Sequence, residues 1–148
     1  MKNSISSFVA SGLVSCALAL GASTSLLAQS RAVAKADIPF AFQVGSKVMP
    51  AGTYTFSRDG QSILALNGTS AQAHALSMVR PETGLNAPKV GRVTFNKYGD
   101  HYFLQSISTT DSATAYQCAT SKQEKALIRE LNWEKAHQVA VNVMPTLH

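Results

Sequence analysis

Alternating apolar and polar residues mark the chain most clearly between residues 37 and 56, DIPFAFQVGSKVMPAGTYTF. In its first half every second residue is apolar: Ile38, Phe40, Phe42 and Val44. Side chains of a strand alternate between its two faces, so these four are predicted to share the buried face of one strand. Pro39 lies within this run and cannot donate a ladder hydrogen bond, which favours an edge strand.

Turn residues divide the next part of the chain into short strands. Three dipeptides predict the turns: Gly45-Ser46, Asp59-Gly60 and, as a type I′ hairpin, Asn67-Gly68. The strands between and after them are expected at residues 53–56, 62–66 and 69–79. Tyr54 and Phe56 share one face, and we expect them in the core. Residues 80–89 contain two prolines and a glycine without periodicity, which predicts the longest loop. A plain connector is the simpler interpretation of this loop, and a binding site is the alternative.

Alternation returns at residues 90–108, around a glycine-containing turn at residues 96–100. Phe103 and Ile107 are expected on one face of the second strand and Leu104 on the other. Apolar residues on both faces indicate a central strand or one that runs under the helix. Two further strands are expected, at residues 115–119 and 137–143.

A helical pattern stands between those last two strands. Ser121 and Glu124 form a capping box, in which the serine accepts from the amide of residue 124 and the glutamate reaches back to the cap. An apolar stripe follows at Ala126, Leu127, Ile128 and Leu131. We expect this short helix to dock on the sheet, with Trp133 as its anchor. The fold class is therefore mainly β, an antiparallel sandwich or barrel of about eight strands with one short helix in the C-terminal half.

The N-terminal 28 residues have the layout of a secretory signal peptide. Lys2 is followed by an apolar run at residues 8–20 and then by small and polar residues. Cleavage is expected after Ala28, and cleavage after Ala34, which fits the A-x-A pattern better, is the alternative. The apolar run is shorter than the roughly 20 residues of a membrane span, which disfavours a retained anchor.

Cys16 ends a sequence, LVSC, that is similar to a bacterial lipobox. The apolar run continues past Cys16, where a lipoprotein has a polar tether, so we expect an apolar residue of the signal peptide and not a lipid anchor. After cleavage residues 29–36 are expected as a flexible lead-in and residues 37–148 as one β-rich domain. Only Cys118 then remains, so the domain cannot contain an internal disulfide.

Composition narrows the function classes. The 148 residues are 45% hydrophobic and 14% charged, which argues against a disordered chain or a coiled coil. The net charge of +5 is spread thinly, whereas nucleic-acid binders concentrate basic residues, so no nucleic acid is expected as a partner. Weak attraction to anionic envelope polymers is the expected consequence of this charge.

Three motifs occur in order along the mature chain: I-P-F-x-F-x-V-G at residues 38–45, P-A-G-x-Y at residues 50–54 and Y-G-x-x-Y-F-L at residues 98–104. In these motifs the chain resembles a group of small exported proteins of soil acidobacteria whose function is not established. The resemblance covers most of the mature chain. It implies an exported β protein, and it implies no reaction, ligand or catalytic residue.

Sequence motifs for catalysis and metal binding are lacking. There is no nucleophile elbow, zinc motif or glycine-rich phosphate loop. The histidines are scattered: His74, His101, His137 and His148. Asp100 and His101 could form an acid/base pair, but an exposed turn is the simpler interpretation. Carboxylates at expected loops or strand ends suggest no pair for a glycosidase: Asp37, Asp59, Glu82, Asp100 and Asp111. No catalytic, cofactor-binding or metal-binding residue is assigned, and no cofactor is expected.

Three functional hypotheses remain. The first is an exported, non-catalytic β module that binds an envelope glycan or an apolar small molecule in the periplasm or outside the cell. The second is a structural protein that pairs through an exposed edge strand at residues 38–44. The third is a hydrolase with an unrecognised site. A mature chain that does not span the membrane is common to all three.

Overall fold

The computed structural model describes residues 31–70, 72–132 and 136–144. Its described part is mainly β, with one short helix, α1, at Lys122–Leu131. The ten strands are β1 Arg31–Ile38, β2 Phe42–Val44, β3 Lys47–Met49, β4 Gly52–Asp59, β5 Ile63–Gly68, β6 His74–Thr83, β7 Arg92–Tyr98, β8 His101–Ser108, β9 Thr114–Cys118 and β10 His137–Asn142. The signal-peptide residues 1–28, His148 and Trp133 lie outside the described residues.

All strands belong to one sheet. Its order is β1-β4-β5-β6-β9-β8-β2-β3, and β7 joins β8 to β10. The ladders are antiparallel except for a parallel contact between β2 and β8. The two sides of the sheet approach each other where the amide of Met144 donates to the carbonyl of Lys35 at 2.7 Å, an isolated bridge. No strand ladder closes the sheet at this point of the described structure.

Aromatic and aliphatic side chains fill the interior. Phe42 makes edge-to-face contacts with Tyr54 at 5.1 Å and with Phe95 at 5.2 Å, measured between ring centroids. Each such contact contributes about 0.5–1.5 kcal/mol beyond the burial of its area. Tyr54 and Phe56 are fully buried, which confirms the prediction that their rings belong to the core.

The predicted single strand at residues 38–44 is wrong. β1 ends at Ile38 and pairs with β4, whereas β2 begins at Phe42 and lies between β3 and β8. Pro39 stands at the break, where its missing N–H and fixed φ angle interrupt the ladder. Ile38, Phe42 and Val44 are buried as the alternation predicts, but they enter the core from different strands.

Two further expectations fail near the first strands. Residues 31–36, expected as a flexible lead-in, form most of β1 and pair with β4. Gly68 does not form a type I′ turn. It ends β5, and its amide bonds to the carbonyl of Ala73 at 2.6 Å across a five-residue connection. A Cβ at Gly68 would lie 2.7 Å from the Cβ of Ala73, so close packing explains the glycine better than turn geometry does.

The expected loop at residues 80–89 is shorter than predicted. β6 continues to Thr83 and pairs with β9 over residues 79–83. Pro81 is therefore within a strand, opposite Tyr116. The connection to β7 begins at Gly84.

The β7–β8 hairpin confirms the predicted pair of strands and the turn, where Gly99 has a φ of 57°. β8 is a central strand, as predicted, with β7 on one side and β9 and β2 on the other. Thr94 pairs with Ser106 and Phe95 with Leu104, so Gln105 is an extra residue in the ladder. Such a bulge reverses the alternation beyond it. Ile107 and Leu104 consequently join the interior cluster, whereas Phe103 lies outside that cluster.

Helix α1 begins as predicted and packs differently. The Ser121 hydroxyl accepts from the amide of Glu124 at 3.0 Å, which confirms the cap. Glu124 is the buried residue of the helix, and its carboxylate accepts from β7 instead of reaching back to the cap. The predicted apolar stripe is half-buried or exposed, with Leu131 44% exposed. The stripe therefore does not anchor the helix.

Candidate functional site

An open groove of about 620 Å³ lies where β6, the end of β9 and the first turn of α1 meet. We call it the outer groove; its lining consists of Ser62, residues 78–81, residues 117–120 and Lys125. Along β6 Ala75 and Val79 are buried, whereas Leu76 and Met78 are exposed, so Met78 points to the outer face of the sheet. The groove thus combines the apolar side chains of Met78 and Pro81 with two cations, Arg80 and Lys125.

The apolar surface continues from the groove along β5 and β6. Ile63 pairs with Met78 and Ala65 with Leu76, so these side chains share the outer face. Leu76 is 71% exposed and Met78 is 74% exposed. Large apolar side chains that are exposed next to one another mark interaction sites more often than scattered ones do.

A smaller hollow of about 210 Å³ adjoins the groove, and the two share Met78, Cys118, Ala119 and Thr120. We call it the slit. It lies where β6 extends beyond its ladder with β9, and where the strand next to β8 is β2 instead of β9. Residues from both neighbouring strands line it, among them Val44 and Ser77. Glu124 lines the slit from the helix side.

Cys118 stands between the two hollows and is half-buried. Burial raises the pKa of its thiol to about 11, a hydrogen bond with Ser77 opposes this, and the charge of Glu124 adds to it. The thiol is therefore protonated at neutral pH, and only the thiolate is a good nucleophile. This environment suits an apolar lining residue and not a catalytic cysteine.

Glu124 holds α1 on the sheet. Its Oε1 accepts from Asn96 Nδ2 at 2.9 Å and from the Tyr98 hydroxyl at 3.2 Å. The position in the first helical turn also favours a negative charge. The pKa of Tyr98 rises to about 12, first through burial, then through the charge of Glu124 and through the hydrogen bond to it. Tyr98 also packs edge-to-face on Phe103 at 5.9 Å, so the helix covers a small second cluster outside the main core.

The histidines do not gather at the groove. His74, His101 and His137 are exposed, each at the first position of a different strand. His101 and the neighbouring Asp100 belong to an exposed turn, as the simpler interpretation predicts. His101 lines a shallow hollow beside α1.

The carboxylates proposed for a glycosidase are all exposed. They lie in different strand ends and turns: Asp37, Asp59, Glu82, Asp100 and Asp111. Asp37 accepts from the Thr53 hydroxyl at 3.3 Å, and Glu82 lines a hollow next to the 84–91 connection. Within residues 31–70, 72–132 and 136–144, no group of three or more potential ligands is placed to hold a metal ion. Over the same ranges, no helix has the length and apolar character needed to cross a membrane.

The groove could be found only in part from the sequence. Residues 80–89, predicted as a loop and as only one place to look for a binding site, supply Arg80 and Pro81. Met78 and Lys125 were missed. The sequence did contain a signal for Met78. Alternation puts Leu76 and Met78 on the same strand face as the polar residues Gln72 and His74, so two large apolar residues stand on a face that is otherwise polar. Lys125 gave no comparable signal, because its position depends on how α1 docks.

Comparisons of the chain with protein-family models, with curated proteins and with solved structures found no match.

Proposed function

We propose that this protein is a non-catalytic binding module whose outer groove takes an apolar small molecule with an anionic head group. The observation that carries the proposal is Met78, which lines the groove and is 74% exposed. Arg80 and Lys125 line the same groove. An acyl chain packed on Met78 would place a carboxylate near these cations.

The interior of the sheet is an unsuitable place for such a ligand. Phe42, Tyr54 and Phe95 meet in its centre with ring centroids about 5 Å apart and are at most 1% exposed. Close packing of this kind leaves no volume for a chain. Support for binding of an apolar chain is therefore confined to the outer surface.

An apolar ligand is better supported than a glycan. Sugar rings stack on exposed aromatic faces, and among the described residues the Phe and Tyr side chains are buried or half-buried. The exposed apolar side chains near the groove are aliphatic: Ile63, Leu76 and Met78. Covering about 200 Å² of such surface would contribute on the order of 5 kcal/mol before the cost of association. Binding in the micromolar range or weaker is the expected result.

Titration of the mature protein with dodecanoate, followed by NMR chemical shifts and by calorimetry, tests the proposal. Met78→Asp should weaken binding at least tenfold, because it replaces an apolar side chain of the groove lining with a charged one. Leu85→Asp is the matched control, since Leu85 is fully exposed on the 84–91 connection and does not line the groove. Equal affinities of the two variants would contradict the proposal.

The head-group preference has its own pair of variants. Lys125→Glu should weaken dodecanoate binding and leave binding of dodecanol unchanged, because only the former carries a charge. Arg129→Glu on the same helix makes the same charge change away from the groove lining and should have little effect. Loss of dodecanol binding in Lys125→Glu would instead indicate that the helix has moved.

The edge-strand hypothesis keeps only part of its support. β1, which ends at Ile38, is at one end of the strand order and forms a ladder with β4 alone, but β2 has neighbours on both sides. The exposed face at Ile63, Leu76 and Met78 is also small, since a stable protein interface buries about 800 Å² on each partner. A monomer in light scattering is the expected result.

We also propose that the sheet is a distorted, open barrel; the Lys35–Met144 bridge, where its two sides meet, supports this. Export through a signal peptide cleaved after Ala28, and membership of the exported acidobacterial group, remain proposals that rest on the sequence. Mass spectrometry of the mature N-terminus after cell fractionation would test the cleavage and the compartment. A lipid on Cys16 would overturn the proposed cleavage after Ala28.

A further inference from the structure

A single arginine projects into one end of the interior. Arg58 follows Phe56 on the inward face of β4, and its register partner on β5 is Leu64. Phe56 and Leu64 are fully buried. Arg58 itself is half-buried, so solvent reaches part of this side chain.

The guanidinium reaches across the interior to β9. Its Nη1 donates to the hydroxyl of Tyr116, and Cζ lies 5.4 Å from the centroid of that ring. β4 and β9 are not neighbours, because β5 and β6 lie between them. Tyr116 is 8% exposed, and its register partners are Pro81 and Ile107. The contact therefore joins two strands that are not neighbours in the sheet, through the interior side of the sheet.

The charge of Arg58 is not balanced by a carboxylate. In the described part of the chain, the polar contact of the guanidinium is the neutral Tyr116 hydroxyl, and no acidic side chain forms an ion pair with it. Asp59 follows in sequence, but it is exposed and belongs to the opposite face of β4.

We propose that the guanidinium of Arg58, beside Tyr116, is a binding site for a small oxyanion, a carboxylate or a phosphate group. A guanidinium carries five N–H donors in a planar fork that matches two oxygens of such an anion, and Tyr116 occupies one side of it. Partial burial strengthens the attraction between opposite charges relative to bulk water. This site is separate from the outer groove and does not depend on the function proposed for it.

The test uses the mature protein with inorganic phosphate and with acetate as probes. Titrations are followed by backbone amide NMR shifts at constant ionic strength, with chloride as the balancing salt. We expect saturable shifts at residues 57–60 and 115–117. Shifts that are linear in concentration, or spread over all exposed basic residues, would overturn the proposal. Saturation by phosphate alone or by acetate alone would show which of the two anions the site accepts.

Four variants separate binding from folding. Arg58→Met should abolish the saturable shifts, and Arg58→Lys, which keeps the charge but not the fork, should weaken them at least fivefold. Arg92→Met removes an exposed arginine of β7 and should leave them unchanged. If Arg58→Met does not fold, Tyr116→Phe retains the cation and frees a donor, and anion binding should then be preserved or strengthened. Loss of anion binding in a folded Tyr116→Phe protein, or its retention in Arg58→Lys at full strength, would contradict the assignment.

Discussion

Replacement of Glu124 by alanine should release helix α1 from the sheet. The side chain is 3% exposed, and its Oε1 accepts from Asn96 at 2.9 Å and from Tyr98 at 3.2 Å. Hydrogen bonds to a charged group contribute about 1.5–3 kcal/mol each. Relief of the desolvation of the carboxylate offsets part of this, so we expect a net loss of about 2–4 kcal/mol.

Two experiments measure that loss. Urea unfolding should show a lower free energy of unfolding, and amide exchange in residues 122–131 should accelerate by about 30- to 1,000-fold, because a helix of this length is marginal once undocked. Glu130→Ala, an exposed glutamate of the same helix, is the matched control and should change stability by less than about 0.5 kcal/mol. Glu124→Gln retains an acceptor oxygen and should cost about 1 kcal/mol.

The argument would be refuted if Glu124→Ala behaved like Glu130→Ala. In that case the half-buried apolar residues of α1, such as Leu127 and Ile128, would hold the helix. Accelerated exchange confined to α1, with an unchanged core, would instead show that the helix is a locally unfolding unit. Either outcome bears on ligand binding, because Lys125 lines the outer groove.

Three further predictions follow from other contacts. Because folding raises the pKa of Tyr98 to about 12, the stabilising contribution of its protonated hydroxyl is complete below about pH 10 and should be lost between pH 10 and 12. Absorbance at 295 nm should show this late titration of Tyr98, and Glu124→Gln should move the titration to lower pH. The Cys118 thiol, whose pKa burial raises to about 11, should react with Ellman's reagent at pH 8 far more slowly in the native protein than in urea; equal rates would disprove the burial. Gly68→Ala should destabilise the protein by about 1–3 kcal/mol in thermal unfolding, because the new Cβ would lie 2.7 Å from the Ala73 Cβ. Gly84→Ala, whose new Cβ would have its nearest contact at 3.6 Å, should be nearly neutral in the same measurement.

The sequence alone determined the local elements of this protein. Alternation at residues 101–107 and the glycine at position 99 predicted the β7–β8 hairpin, and Ser121 predicted the start of α1. These features depend on interactions within a few residues, such as the period of a strand, the φ angle of a turn and the bond from a cap to an amide. A pattern of neighbouring residues records such interactions directly.

The tertiary structure decided where the same residues point. Pro39 divided one apparent strand between two parts of the sheet, and the extra residue Gln105 put Phe103 and Ile107 on different faces. Glu124 fitted a capping box, but its carboxylate binds Asn96 and Tyr98, which are about 26 residues away in sequence. Local propensities differ by only a few tenths of a kcal/mol to about 1 kcal/mol per residue, whereas burying an unpaired charge costs several kcal/mol. The tertiary partners of a buried charge therefore outweigh the local preference.

The candidate sites follow the same division. Met78 could be recognised as an apolar residue on a polar face, but the outer groove exists only because β9 ends beside β6 and α1 then folds back over β7. Arg58 has no sequence signal, since an arginine near a turn is ordinary on a surface. Its inward direction is set by the pairing of β4 with β5, and its partner Tyr116 lies 58 residues further along the chain. Pairings between distant segments create these sites, and no local pattern encodes them.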